Sequence, residues 1–439
     1  VTYREKIERL ERELSSGASF NAMKKGTTSN LFRYSDDGRQ RGRRLDLSGF
    51  TDVIGIDRER HVMEVEGLVT YEQIVDAALK AGLLPTIAPE LKHITIGGAT
   101  VGIGIESSGF KHGFVHDGLL EADVLLSSGE VVTCNSDQHS DLFRALPNSY
   151  GTLGYILRAK VKLVPARPFV RLTTERFDSL ETYIDAFGRY AASDDIDFLE
   201  GLFTSRDHLC LSTGKMTDSA DEITDIYRGT QYYKLALQPG TINLKTKDYI
   251  FRFDPDWFWN VPDAGFYRFF RQYAPLSVRS SKFYNRYVAS KHALRRALHL
   301  PPNTSEEKLI QDWEVPWEHA VELLDYALDE VDLDGKPWVA VPIKPLSKPS
   351  LYPVDPSELY MNLGCYCYTR KPKKDVPYYY TKILDDKCFA LGGIKMLYSS
   401  TFINREHFDE LYNGAAYREV KQKYDPSNRF LSLYGKTVS

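Results

Sequence analysis

Long apolar runs are missing from this 439-residue chain. None approaches the roughly 18 residues that cross a bilayer, and nothing at its start resembles a signal peptide. Cysteine is scarce: Cys134, Cys210, Cys365, Cys367 and Cys388 form an odd set without metal-ligand spacing. The histidines include no H-E-x-x-H, which argues against zinc chemistry. There is no G-x-x-x-x-G-K-[ST] and no G-x-G-x-x-G leading into a helix, so neither a P-loop nor a Rossmann fingerprint is supported. A one-signed field is absent too. With 56 Lys+Arg against 60 Asp+Glu, the net charge is −4, and no basic surface argues for nucleic acid. No internal repeat or low-complexity segment occurs. What is left is a chain long enough for two domains with substantial cores, expected to be a cytoplasmic enzyme.

Glycine is concentrated where it informs. Gly97, Gly98, Gly102 and Gly104 fall within eight residues, flanked by Ile94, Ile96, Val101, Ile103 and Ile105. Glycine lets a large ligand approach the main chain, and β-branched neighbours favour extended structure. The stretch therefore reads as a buried strand and turn against a ligand; a plain glycine-rich β-turn is the alternative. Upstream, the small-residue loop around Lys24, Gly26, Thr27, Thr28, Ser29 and Asn30 offers a cation, hydroxyls and free N–H groups suited to a pyrophosphate. Downstream, Gly151 and Gly154 precede a strand pattern over 157–164, and Ser128-Gly129 joins two further strands. Three such loops on short strands suit an extended cofactor with a diphosphate at its middle.

This order of parts resembles the FAD-binding domain of the vanillyl-alcohol oxidase (PCMH) superfamily, and within it the Δ24-sterol reductase family. The resemblance is carried by Pro89-Glu90-Leu91, Gly97-Gly98, Gly102-Ile103-Gly104-Ile105-Glu106-Ser107-Ser108, Lys111 and Gly113. It continues through Ser140-Asp141-Leu142-Phe143, Gly151-Thr152-Leu153-Gly154, Glu200-Gly201-Leu202, Thr213-Gly214, Met396-Leu397-Tyr398 and Asn404-Arg405-Glu406. It implies non-covalent FAD, NADPH or NADH as reductant, and reduction of an isolated carbon–carbon double bond in a lipid, either a sterol side chain or a methylene or unsaturated acyl chain. The cofactor contacts expected with it, besides the 24–30 loop, are Pro89, Glu90, Thr95, Ile96, Gly97, Gly98, Gly102, Ile103, Gly104, Ser107, Ser108, Gly113, Gly151, Gly154 and Ile156. No histidine stands in the 24–30 loop to tether a flavin covalently. An FAD-dependent oxidase or dehydrogenase of an alcohol, sugar or hydroxy acid stays open, as does a lipid-binding protein on an inherited flavoenzyme scaffold.

The expected fold is α+β, a PCMH-type domain joined to an antiparallel-sheet cap backed by helices. Residues 1–17 read as a charged surface helix with Ile7, Leu10 and Leu14 inward, where eukaryotic sterol reductases carry a membrane segment. Residues 18–165 form the flavin domain, with a helix over Tyr71–Ala81 between Thr70 as N-cap and Gly82. Pro165 to Pro168 marks the boundary. Residues 166–403 form the cap, with strands near 170–175, 197–203, 208–213, 338–343 and 359–368 and a helix over 180–191. Cys365 and Cys367 fall on one face of the last strand, as a pair of small buried hydrophobes. Residues 404–439 begin with a helix over 404–423 and return to the flavin domain.

One insertion, 249–287, crowds aromatics such as Trp257, Phe258, Trp259, Phe266 and Phe269 among Arg252, Arg268, Arg271, Arg279, Lys282 and Arg286. Two expectations stand side by side. The segment touches a membrane surface, with Trp257, Phe258 and Trp259 as the contact, or its aromatics belong to the cap core.

Alkene reduction needs a hydride at one carbon and a proton at the other. Tyr398 is the first candidate acid, because its motif by resemblance faces the flavin. Lys395, three residues earlier, points away from Tyr398 on a regular strand, so at most one of them belongs in the site. Glu106 is a second candidate, as an acid beside a lipid pocket or as an acceptor for backbone amides in the Ser107-Ser108 turn. Asn404 and Arg405 read either as a helix cap with a surface arginine or as head-group ligands. His112 and His116 read as structural.

Overall fold

The computed structural model describes residues 1–14, 20–23, 43–299, 305–372 and 376–438. Two sheets organise it. A short parallel pair, β1 (Phe20–Met23) and β2 (Arg43–Asp46), precedes them. The first sheet is built from β3 (Val53–Asp57), β4 (Val62–Glu66), β5 (Leu83–Pro85), β6 (Leu119–Leu125), β7 (Val131–Asn135) and β8 (Tyr155–Pro165). Its order is β3-β4-β8-β6-β7, with β5 also pairing β8. The Tyr71–Lys80 helix beside it starts at Thr70, which forms a reciprocal capping box with Gln73. The Tyr3–Leu14 helix buries Leu10 and Leu14 and also Lys6, whose ammonium lies 2.7 Å from Glu66.

The second sheet contains β9 (Phe169–Phe177), β10 (Phe198–Ser205), β11 (His208–Thr217), β12 (Gly240–Lys245), β13 (Glu306–Pro316), β14 (Trp338–Ile343), β15 (Tyr360–Arg370) and β16 (Ile394–Lys395). These run in the order β12-β9-β11-β10-β14-β15-β13-β16, antiparallel throughout. The helices Leu180–Ala191, Ala320–Glu330 and Tyr379–Ala390 cover one face. Period-two alternation turns the other face toward the first domain, where Lys344 donates its N–H to Gly109 at 3.1 Å. Cys365 and Cys367 lie buried on β15 with sulfurs 3.6 Å apart.

Three expectations need correction. The glycine-rich stretch is a helix, Ile96–Val101, because Thr95 caps it and accepts a hydrogen bond from the Gly98 N–H. Gly97 is small there for packing, since a Cβ would stand 2.8 Å from the Gly67 carbonyl oxygen. The 404–423 segment is two helices, Arg405–Leu411 and Gly414–Tyr424, broken where Asn413 turns through φ 49° to cap the second. Trp257, Phe258 and Trp259 are buried, at 4, 2 and 5% exposure, and are not surface contacts. After β16 the chain returns to the first domain: Lys421 donates to the Thr152 carbonyl at 2.7 Å, and Lys423 pairs with Asp141.

Candidate active site

The site lies between the Ile96–Val101 helix and the uncovered face of the second sheet. Gly98 and Val101 on the helix, Gly102 at its C-cap and Ile105 beyond the Ile103 turn are only half-buried. Among the described residues, a Cβ on Gly98 would meet within 4 Å, outside its own helix backbone, only the Thr95 hydroxyl at 3.1 Å, so this surface is a cradle that a side chain would fill. Tyr150 joins it to the opposing side, donating to the Gly102 carbonyl at 3.3 Å and accepting the Leu397 N–H at 2.9 Å. The Met396-Leu397-Tyr398 motif is thereby held against the glycine helix.

Opposite the cradle, β13 and β15 present Asp312, Glu314, Asn362 and Tyr366 on one face, in the register Asp312↔Gly364 and Glu314↔Asn362. Asp312 is buried and accepts hydrogen bonds from the hydroxyls of Tyr366, at 2.9 Å, and Tyr398. Burial pushes its carboxyl up to about 6 against the pull of those donors. Burial and the Asp312 charge hold Glu314 well above the ordinary carboxylate range. The Tyr398 hydroxyl is raised by burial and then by Asp312. Tyr366 stacks on Phe258, ring centroids 4.0 Å apart.

A second polar group closes one end. Arg252 reaches Glu106 at 2.6 Å and Glu200, on β10, at 2.5 Å, all three buried. Tyr249 bonds the Ser107 hydroxyl at 3.0 Å and Tyr232 donates to Glu200. Burial and neighbouring Glu106 push the half-buried Glu90 well above its usual range. Backbone strain clusters here as well. Ile103, Tyr150, Trp257 and Phe258 adopt φ of 55°, 49°, 44° and 61°, a region costly for such side chains and frequent at functional sites.

The remaining expected contacts divide. Lys24, Gly26, Thr27, Thr28, Ser29 and Asn30 lie outside the described residues. Pro89 and Ile96 are buried beside the cradle. Gly104 packs on Val115, Gly154 on Val124, and Ile156 on Gly97. Gly113 makes the left-handed turn ending the Gly109–His112 helix, at φ 67°. Gly151 turns through φ 74° next to Tyr155. Ser108 donates to the Thr86 carbonyl and lines a cavity of about 370 Å³ with Lys111, Arg167 and Asp197. Lys395 faces the helices, paired with Asp385 at 3.0 Å, on the side of β13 away from Asp312. Asn404 caps its helix and Arg405 pairs with Asp409 on the surface. His116 stacks on Phe114.

Asp312, Glu314, Asn362, Tyr366, Tyr150, Arg252 and Glu200 were not singled out as site residues from sequence. The one available signal was the charge pattern of 306–316, too polar to read as a strand. Three buried side-chain atoms around the cleft, Glu106 Oε2, Glu314 Oε2 and Asn362 Oδ1, have no hydrogen-bond partner among the described residues. Buried polar atoms are normally satisfied, so these fit a ligand that brings hydrogen-bond donors, such as the N3–H of an isoalloxazine.

A family model described as an FAD binding domain matches residues 19–135. The chain is 27% identical over 406 residues to the Delta(24)-sterol reductase of Homo sapiens, covering 88% of this chain and 76% of that protein. It is 26% identical over 459 residues to the Delta(24)-sterol reductase of Pisum sativum, covering 91% and 77%. A shorter match, 26% over 221 residues, links 49% of the chain to 38% of Cytokinin dehydrogenase 10 of Oryza sativa subsp. japonica.

Proposed function

We propose that this chain, an FAD-dependent oxidoreductase distantly related to the Δ24-sterol reductases, reduces an isolated carbon–carbon double bond of a lipid with NADPH or NADH as reductant. The observation that carries it is the buried Asp312 carboxylate holding the hydroxyls of Tyr398 and Tyr366 opposite the Gly98 cradle. The half-buried surface of Gly98, Val101, Gly102 and Ile105, with Glu106 and Asn362, would hold the flavin ring. When bound, FAD supplies hydride chemistry at one alkene carbon. The protein's task is the proton at the other carbon. Tyr398 is the donor; its hydroxyl, which rests on Asp312, turns that proton to the alkene carbon. Tyr366, on the same carboxylate, is the group through which that proton is replaced. Phe258 and its aromatic neighbours exclude water from the acid, which keeps protons from reaching the reducing centre by other routes.

The test is direct. Fresh protein should be yellow, anaerobic NADPH or NADH should bleach it, and an unsaturated lipid should restore the colour and emerge with two added hydrogens by mass spectrometry. Failure of both nicotinamides to bleach a yellow protein would sink this function. One observation favours a second function, an FAD-dependent dehydrogenase: the match to a cytokinin dehydrogenase, together with Asp312, a buried carboxylate able to accept a proton from substrate. Bleaching by an alcohol or amine without nicotinamide would support it instead.

A further inference from the structure

The helix Gly265–Tyr273 is inverted relative to an ordinary surface helix. Its one buried side chain is Arg271, which bonds Asp256 at 2.9 Å and the carbonyl of Ile226 at 2.7 Å. Its aromatics point out: Phe266, Phe269 and Tyr273 are 72, 62 and 69% exposed. The apolar surface continues through Leu276, Tyr287 and Leu294 on the following turn and the Ser281–Ala297 helix. Single exposed apolar side chains need no explanation, but a contiguous patch does.

The charge around this patch is equally unusual. Residues 264–305 contain eight Lys and Arg and no Asp or Glu, in a chain whose acids outnumber its bases. Arg271 and Arg279 are buried against Asp256, while Arg268, Arg286 and Lys291 are exposed among the aromatics. Phenyl and phenol rings interleaved with cations are the composition of a surface that seats in lipid headgroups. A self-association face of the same size would bring like charges together. No helix of the described residues is long and apolar enough to cross a membrane.

We propose that the 265–298 face docks on an anionic lipid bilayer, with Phe266, Phe269 and Tyr273 inserted at the headgroup level and Arg268, Arg286 and Lys291 paired with lipid phosphates or carboxylates. The face is coupled to the site, because Arg271 ties it to Asp256, one residue before the Trp257-Phe258 turn that covers Tyr366. The docking stands on this surface alone and holds whatever the reaction is.

The experiment is vesicle co-flotation of the full chain loaded with FAD. One vesicle set is phosphatidylcholine and the other is phosphatidylcholine mixed with phosphatidylserine, without substrate or nicotinamide. The parent should float with the anionic vesicles at low salt and be released at high salt. Phe266→Ser with Phe269→Ser should lower partitioning by about tenfold or more. Arg268→Gln, Arg286→Gln and Lys291→Gln together should weaken it by roughly fivefold per residue and flatten its salt dependence. All variants should keep their flavin absorbance, since these side chains are exposed. A parent that ignores anionic vesicles, or a serine variant that floats like the parent, overturns the proposal. So does a parent dimer, seen by sedimentation, that the serine variant dissolves without any vesicle binding in the parent. Flavin bleaching and alkene turnover on detergent-dispersed lipid are measured separately, so failure of docking and failure of the proposed reaction are distinguishable.

Discussion

Tyr366 lies flat on Phe258, planes 4° from parallel, and holds its hydroxyl 2.9 Å from Asp312. The aromatic segment that covers the cap is thereby part of the wall of the site. Phe258→Ala should open a cavity beside Tyr366 and destabilise the chain by about 3–5 kcal/mol. Urea unfolding measures it; an unchanged midpoint would mean that the loop is not packed as described.

Tyr398→Phe keeps the ring and removes only the hydroxyl that Asp312 accepts. Flavin content should survive, while alkene turnover falls by on the order of 10²-fold or more. Stopped-flow bleaching by nicotinamide should be nearly unaffected, since that half-reaction uses no acid at the alkene. If turnover is unchanged, the donor is Tyr366 or Glu90.

Asp312 carries a pH signature in stability. Its folded-state pKa of about 6 lies above the ordinary 3.8, so between those values the folded chain holds a proton that the unfolded chain has lost. The resulting stabilisation, relative to Asp312→Asn, is complete below about pH 3.8 and is lost as the pH rises through 6. The difference between parent and variant should therefore move by about 3 kcal/mol in favour of the variant from acid to neutral pH. Denaturant titrations at several pH values check it, and a pH-independent difference would refute it.

Arg252 holds Glu106 and Glu200 in a buried triad across the two domains. Arg252→Met leaves two carboxylates facing each other and should cost about 3–5 kcal/mol. Adding Glu106→Gln and Glu200→Gln should recover much of that loss. A triple variant no more stable than the single would show that the arginine acts through its packing on Tyr249 and not through charge.

Gly98→Val should yield an almost colourless protein that is still folded, because among the described residues only the Thr95 hydroxyl stands near the added side chain. The parent's FAD should leave on acid denaturation, and fluorescence remaining on the denatured chain would reveal a covalent link. Retention of full flavin by the valine variant would move the ring away from this helix.

Local signals in the sequence decided a good part of this architecture. Thr70 and Gly82 bracket their helix because a hydroxyl cap and a left-handed turn are requirements a short segment meets by itself. Ser128-Gly129 closes its hairpin for the same reason. The glycine motif located one wall of the site, although Thr95 made it a helix: a cap bond outweighed the β preference of its isoleucines.

Tertiary structure decided the other wall. Strand β13 reads Glu-Glu-Lys-Leu-Ile-Gln-Asp-Trp-Glu-Val-Pro, without an apolar alternation, because both its faces are buried and two of its carboxylates take hydrogen bonds from partners elsewhere in the chain. Glu307 binds the N–H groups of Tyr380 and Thr381, 73 and 74 residues away, and Asp312 takes its donors from Tyr366 and Tyr398, 54 and 86 residues away. Tyr398 was singled out by its motif, but Asp312 acquires its role only when the sheet brings these strands together. The aromatic insertion divides in the same way. Composition marks 249–287 as unusual, yet Phe258 is covered by Tyr366 whereas Phe269 faces outward, since burial depends on what the rest of the chain places against each ring.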